Sequence, residues 1–286
     1  MLQFVDEPLN AVPRRGTGLL LFGSSIGLMC VARMVWNEGG GDVVHQVLTA
    51  RNSAVIVTLG QALIQLGGCL LGAVIGGTLV SIGVYQAARR KGLSLAYVML
   101  IGLSGVLVLC GTFAVCLGAF SLQSALNDIA LSGAQITAEQ LAQTTAHWTA
   151  ILSLGWWLLA VAFGTLVVGS QVQCVTRPKY VTTSTRWPVV TIAALILLSV
   201  SGVIASAMWI RSGLAFQQYA TSDATRAADV VSQIQVVLFC HVLGSCVLLG
   251  YALLVTGLAG QAAFTTQSSE DRVDETSSDP SSTLLR

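Results

Sequence analysis

Apolar residues occur along the chain in six long runs that are separated by polar segments. Each run is long enough to cross a bilayer core of about 30 Å, which takes about 20 residues as a helix. No run shows the two-residue alternation of a barrel strand, and backbone groups in lipid must be paired within their own segment, so helices are predicted. The six predicted spans are 17–36, 57–85, 93–122, 147–171, 189–210 and 231–259.

The spacing of the runs groups them into three hairpins, 17–86, 93–172 and 188–260. The fold class expected is therefore all-α: a polytopic membrane bundle of six transmembrane helices within residues 17–264. Residues 1–16 are expected to form a cytoplasmic N-terminus. Residues 265–286 are rich in Ser, Thr, Asp and Glu, a composition that predicts a disordered cytoplasmic tail.

The three connections inside the hairpins are expected to be partly helical. In the middle one, Leu122, Leu126 and Ile129 repeat at helical spacing, and Thr137 with Gln140 has the pattern of a capping box. These features extend both helices of the middle hairpin beyond the membrane.

Composition agrees with this assignment. The chain is 54% hydrophobic and 9% charged, with a mean hydropathy of +0.76, whereas soluble domains carry about 25% charged residues. The lipid bilayer is thus the first expected partner. The net charge of +1 leaves no basic surface for nucleic acid.

Lysine and arginine residues are divided unequally between the two ends of the predicted spans. Ten of the 14 lie on the side of the termini and four on the other side, which predicts cytoplasmic termini and a multi-pass protein of the inner (plasma) membrane. Trp36, Trp148 and Trp209 fall near the predicted outer boundaries and are expected to form an aromatic belt.

The three hairpins show signs of a degenerate internal repeat. Gly23 and Gly67 are separated by the same interval as Gly111 and Gly155. The Ala-Phe pair of the second hairpin is echoed at Ala215 in the third.

The second hairpin carries a further set of small and apolar motifs. They are Gly111-Thr112, Gly118-Ala119-Phe120, Leu141-Ala142 and Gly155. Through these motifs the second hairpin, over residues 111–155, resembles the last two spans of the MotA/TolQ/ExbB proton-channel family. The resemblance implies a helical membrane subunit that forms half of a proton path beside a partner whose single span carries an essential Asp.

The resemblance also implies which residues line the path. The family's pore threonine falls near Leu152, with Ser153 beside it, and Thr112 supplies a second hydroxyl. The corresponding positions in the other hairpins are near Ile64 or Gln65 and near His241. The large cytoplasmic region between the family's first two spans has no counterpart here.

His241 is the titratable side chain set deepest in a predicted span. It suits either a proton relay or a hydrogen bond between helices. Gln61 and Gln65, one turn apart on the second span, leave the same two alternatives open.

Glycines at four-residue spacing on the second span, Gly68, Gly72 and Gly76, predict a face on which another helix packs closely. The partner is either a helix of the same chain or a second copy in a homo-oligomer. Gly111, Gly118 and Gly155 are expected to pack helices together in the second hairpin.

No motif in the sequence predicts an enzyme, a cofactor or a metal site. The seven cysteines are in or beside apolar runs without CxxC spacing, and His45 has no second ligand nearby in sequence. Charged residues lie outside the predicted spans or at their edges. Two alternatives therefore stand beside the channel subunit: a structural or assembly scaffold without ion conduction, and a small-molecule transporter.

Overall fold

The computed structural model describes residues 15–38, 53–90, 93–132, 138–175, 189–221 and 227–277. These ranges contain six α-helices and no β-strand. The helices are α1 (Arg15–Glu38), α2 (Ser53–Arg90), α3 (Leu95–Ser132), α4 (Ala138–Val175), α5 (Val189–Thr221) and α6 (Ala227–Ser277).

All six helices contain a stretch apolar and long enough to cross a membrane, as predicted. Five stretches agree with the predicted spans to within four residues at each end. The fifth reaches Gln218 rather than residue 210, because Arg211 does not end the apolar run: its side chain is exposed, and the run continues beyond it to the buried Phe216. The fold defines an integral multi-pass membrane protein.

We call the end of the bundle at which α1 begins and α6 ends proximal, and the opposite end distal. At the distal end α3 continues to Ser132, beyond its membrane stretch, and α4 begins at Ala138, before its own. The predicted helical extensions are thus confirmed. The predicted capping box begins at Thr137, which lies outside the described residues.

The C-terminal helix is longer than expected. Disorder was predicted from Thr265, whereas α6 continues to Ser277. The physical reason is the absence of a helix breaker: between Gly260 and Pro280 the sequence contains neither Gly nor Pro. Residues 278–286 lie outside the described ranges.

The helices follow one another around the bundle in the order α1, α2, α5, α6, α3, α4, and α4 packs back against α1. Each hairpin pairs its own two helices, and its second helix then packs against the first helix of the next hairpin. Three hairpins arranged in the same sense give the bundle a pseudo-threefold topology, which supports the predicted triplication.

The second helix of each hairpin lies closer to the centre. In every hairpin it buries a larger share of its membrane stretch than the first helix does, and the extremes are α2 at 50% and α5 at 22%. In addition, α2 contacts α6 across the bundle, and Trp156 of α4 is hydrogen-bonded to His241 of α6. The helices α2, α4 and α6 therefore form the inner layer.

Close glycine contacts fix the antiparallel pairs. A Cβ on Gly111 would lie 2.9 Å from the carbonyl oxygen of Gly155, and one on Gly76 would lie 2.6 Å from that of Gly23. Neither carbonyl can move without its helix, so each pair needs glycine at this separation. Gly23 is thus partnered by Gly76 and not by Gly67, which instead packs against Ser206 of α5. The equal spacing seen in the sequence is not kept in space.

The proximal end of the second hairpin is held by a side-chain cap. Ser94 precedes α3, and its Oγ accepts the backbone N–H of Tyr97 at 3.3 Å. The N–H of Ser94 is in turn donated to Oε1 of Gln173 on α4 at 2.9 Å. The start of α3 is thereby tied to the end of α4.

Candidate functional site

Three aromatic side chains from different helices meet in the distal half of the bundle. Trp156 of α4, Trp209 of α5 and His241 of α6 each lie nine or ten residues from the distal end of their membrane stretches. Both tryptophans are fully buried and His241 nearly so. We call these three residues the aromatic cluster.

The geometry of the aromatic cluster centres on the imidazole. Its ring centroid lies 4.8 Å from that of Trp209 at an interplanar angle of 88° and 5.9 Å from that of Trp156 at 60°. Such edge-to-face contacts are favourable beyond their buried area. Nε1–H of Trp156 is donated to Nδ1 of His241 at 3.0 Å. The interhelical hydrogen bond considered for His241 is present, with the histidine as acceptor.

Trp209 was expected in an aromatic belt at the membrane boundary, and this expectation is wrong. Its side chain is fully buried in the core, because α5 continues distally for nine more membrane residues. Its indole Nε1 is buried and has no hydrogen-bond partner among the described residues. The predicted fifth span ends at residue 210, before Arg211, and this end placed Trp209 at the membrane boundary instead of in the core.

Thr112, a predicted pore residue, lies at the contact between α3 and α6. Its Oγ1 donates to the carbonyl oxygen of Ser245 at 3.2 Å, one turn beyond His241 on α6, and its side chain is buried. Thr112 and His241 are therefore near each other in the interior.

The other two predicted pore residues lie elsewhere. Ser153 is half-buried on α4, next to the buried Leu152, whose backbone packs against Gly118. Gln65 is exposed on α2. The structure thus does not bring the four residues predicted from the resemblance into one file.

Five of the six glycines predicted to pack helices do so. Gly111 and Gly155 face each other, Gly118 packs against Leu152, and Gly76 packs against α1. Gly72 faces Cys30 of α1. Gly68 differs, since a Cβ placed on it would meet no atom within 4 Å and the residue is exposed. Its Cβ position faces away from the helices that the structure describes.

A second polar group joins helices in the proximal half. The hydroxyl of Tyr251 on α6 lies 2.9 Å from Oγ1 of Thr78 on α2 and 2.9 Å from Oγ of Ser199 on α5. We call these residues the hydroxyl cluster. Thr78 and Ser199 also lie within hydrogen-bond distance of the carbonyl oxygens of Val74 and Leu195. No motif predicted this cluster, because three residues far apart in the chain form it.

A small cavity of about 30 Å³ lies beside Tyr251, between α2, α3, α4 and α6. Its lining is mostly aliphatic and includes Gly77, Val108 and Ala252. The hydroxyls of Ser104 and Thr256 also border it, but these donate to backbone carbonyl groups. The cavity therefore presents an apolar surface.

Among the described residues, no three His, Cys, Asp or Glu side chains are grouped so that they could hold a metal ion. His45 lies outside the described residues.

Comparison with protein-family models, with curated proteins and with solved structures finds no match to this chain.

Proposed function

We propose that this membrane protein is a structural or assembly scaffold, whose closed helical bundle contacts other membrane helices without itself conducting ions. The observation that carries the proposal is the aromatic cluster. Two fully buried indole rings and a buried imidazole fill the space between α4, α5 and α6 at one depth. Packing of this kind makes a rigid core.

The polar groups of the interior also support a structural role. Among the described residues, the buried set contains no Asp, Glu, Lys or Arg. Buried hydroxyls such as those of Ser24, Ser81 and Ser206 donate to carbonyl oxygens of their own helices, and Ser104 donates across to α4. An ion pathway normally contains intramembrane ionisable side chains. The buried His241 is one, but its Nδ1 accepts the hydrogen bond of Trp156, and the hydroxyls serve helix packing.

The second candidate is a channel subunit of the type that the family resemblance implies. Such a subunit conducts beside a partner span that carries an Asp, so the contributing residues must face outward. Of the four predicted pore residues, Gln65 is exposed and Ser153 half-buried. The position of Gln65 is the observation that favours this candidate.

The cavity beside Tyr251 does not itself support the transporter hypothesis. Solute sites in proteins usually enclose about 300–1,000 Å³, whereas the cavity between α2, α3, α4 and α6 is about 30 Å³. It has room for about one or two water molecules and borders mainly aliphatic side chains.

Proton flux into liposomes separates the two leading candidates. The purified protein, with every companion that copurifies with it, is reconstituted under a potassium diffusion potential, and internal pH is followed with a trapped dye. If the protein is a scaffold, proton flux should equal that of empty liposomes, and His241→Ala and Ser153→Ala should leave that flux unchanged. Flux that requires an acidic single-span companion, and that Ser153→Ala or Gln65→Ala abolishes, would overturn the scaffold and establish the channel subunit.

We also propose that the protein lies in the inner (plasma) membrane, with its proximal end facing the cytoplasm. The ten-to-four distribution of Lys and Arg supports this orientation. Reporter fusions to the C-terminus test it: a fluorescent protein that folds in the cytoplasm should be bright, and alkaline phosphatase should be inactive. The reverse pattern would require the opposite orientation.

A further inference from the structure

Two cysteine side chains from different hairpins meet where α3 packs against α6. Cys116 of α3 and Cys246 of α6 are both free cysteines. The thiol of Cys116 interacts with the thiol of Cys246 and with the hydroxyl of Ser245. The two cysteines are far apart in the sequence, so no spacing motif indicates that they meet. We call Cys116 and Cys246 the thiol pair.

The packing of the two helices places the thiol pair at one level. A Cβ on Gly105 of α3 would lie 3.0 Å from Oγ1 of Thr256 on α6. Farther toward the distal end, Nε2 of Gln235 on α6 donates to Oδ1 of Asn127 on α3 at 3.3 Å. The α3 cysteine lies eleven residues, or three turns, from each of the two α3 contact residues, and therefore on the same side of that helix. The α6 cysteine lies ten and eleven residues from their partners, so the two helices, which are antiparallel, bring the cysteines opposite each other.

A contact beside the thiol pair brings the two helices close together. Oγ1 of Thr112 donates to the carbonyl oxygen of Ser245 at 3.2 Å, and the cysteines follow these two residues by four positions and by one. Helical side chains tilt toward the N-terminus of their own helix, so in this antiparallel pair the two thiols tilt toward each other. A disulfide requires Cα atoms within about 7 Å, and small residues at a helix contact allow such an approach.

The thiol pair borders the lipid. Cys246 is exposed, and so are Phe239 and Leu253, which lie seven residues before and after it on the same side of α6. Cys116 is partly exposed, and Phe113, one turn before it on α3, is exposed. Lipid acyl chains can therefore contact both sulfur atoms.

The position of the thiol pair in the membrane restricts its chemistry. Cys116 lies nine residues and Cys246 fourteen residues inside the distal ends of their membrane stretches. These two stretches contain no Asp, Glu, Lys or Arg, so no permanent cation on either helix stabilises a thiolate. Thiol–disulfide exchange proceeds through the thiolate, which is costly in hydrocarbon. Transfer of a whole hydrogen atom from sulfur creates no charge and therefore suits this environment.

We propose that the thiol pair reduces lipid peroxyl radicals and is thereby oxidised to a disulfide that joins α3 to α6. Two S–H bonds break homolytically, and each of two peroxyl radicals takes one hydrogen atom and becomes a hydroperoxide. The two sulfur atoms, with one unpaired electron each, then form one S–S bond. This redox role goes beyond the proposed scaffold and does not depend on whether the bundle conducts ions. The bond adds a covalent link between the second and third hairpins.

Oxidation of the full chain in liposomes tests the proposal. The purified protein is reconstituted in polyunsaturated phosphatidylcholine, and a lipid-soluble azo initiator generates peroxyl radicals in the bilayer. After proteolysis without reductant, mass spectrometry should find the peptides of Cys116 and Cys246 joined, with the loss of two hydrogen atoms. A reductant should separate them, and liposomes without initiator should give only free thiols.

Serine variants identify the thiols that react. Cys116→Ser and Cys246→Ser should each abolish the crosslink and shorten the lag before conjugated dienes accumulate in the lipid. Cys110→Ser is the matched control, because Cys110 is exposed on the same helix but lies six residues from Cys116, about 120° around α3. This variant should retain both the crosslink and the wild-type lag. An SDS titration of each variant verifies that its fold is intact.

Three results would overturn the proposal. A disulfide that forms with copper phenanthroline but not with peroxyl radicals would show that the thiols are close and that the radical chemistry is wrong. Sulfinic or sulfonic acid at Cys246 beside an unmodified Cys116 would show that the two do not react as a pair. An equal lag for wild type and Cys116→Ser would show that the pair does not protect lipid. None of these results affects the scaffold role, which the measurement of proton flux tests separately.

Discussion

The distal and proximal halves of the bundle hold the inner helices together in different ways. The distal half uses the aromatic cluster, in which rings fill the space between α4, α5 and α6 and one hydrogen bond is made. The proximal half uses the hydroxyl cluster, which joins α2, α5 and α6 through small polar groups beside a cavity of about 30 Å³. The two centres are about 15 Å apart along α6.

The two halves show two ways in which helices associate in a lipid bilayer, where the hydrophobic effect contributes little to contacts between helices. Ring packing stabilises by dispersion and by close fit, so it is sensitive to side-chain volume. Hydroxyl bonding stabilises by satisfying polar groups, and individual bonds of this kind contribute modestly in membranes. We therefore expect the distal half to respond to volume changes and the proximal half to tolerate them.

The largest effect is expected at the distal centre. Trp156→Ala removes a fully buried ring and should destabilise the protein by about 3–5 kcal/mol. The measurement is an SDS titration in which unfolding is monitored by circular dichroism. Trp157→Ala is the control, because the neighbouring ring is 55% exposed and its removal should cost much less. Equal losses at the two positions would refute the volume-sensitive distal core.

A comparison within the aromatic cluster isolates the hydrogen bond. Trp156→Phe and Trp209→Phe both reduce a fully buried indole to a benzene ring, but only Trp156 donates a hydrogen bond. Trp156→Phe should therefore cost about 1–3 kcal/mol more, since it leaves Nδ1 of His241 without this donor. The same SDS titration measures the difference. An equal or smaller loss for Trp156→Phe would mean that the bond adds nothing to ring packing.

Most of the fold could be predicted from the sequence because lipid imposes a simple rule. Runs of apolar residues must be helices, so six spans and three hairpins follow from their lengths. The close contacts of Gly76, Gly111 and Gly155 were also predictable, since glycine in a membrane helix usually marks an interface. Chain order alone could not show which glycines meet, and the equal spacing of Gly23 and Gly67 did not indicate that Gly23 contacts Gly76.

The interior was less predictable for a related reason. In an all-apolar span the hydrophobic periodicity that separates a buried face from an exposed one is weak, so Trp156 could not be distinguished from Trp157. Trp209 was placed at the boundary because Arg211 follows it, although a long cationic side chain near a helix end can extend to the headgroups. Tyr251, Thr78 and Ser199 meet only after three helices have packed.

In the proximal half, Tyr251→Phe removes the hydroxyl that contacts both Thr78 and Ser199 and leaves the ring in place. We expect a loss of about 0.5–1.5 kcal/mol in the same titration. A double-mutant cycle with Thr78→Val supplies the control, because the two losses should be less than additive if the groups interact. Strict additivity would show that the hydroxyl cluster is not energetically coupled.

The smallest effect tests the cavity directly. Val108→Ile adds a methyl group beside the proximal cavity and should be neutral or stabilise the bundle by up to about 0.8 kcal/mol, the value of one buried methylene. Two turns along the same helix, Val115 is fully buried and in close contact with Gly155 of α4, so Val115→Ile should cost about 1–3 kcal/mol through overpacking. Both variants are measured by SDS titration in parallel. The opposite order of stability would place the loosely packed level of the bundle in the distal half and reverse the comparison.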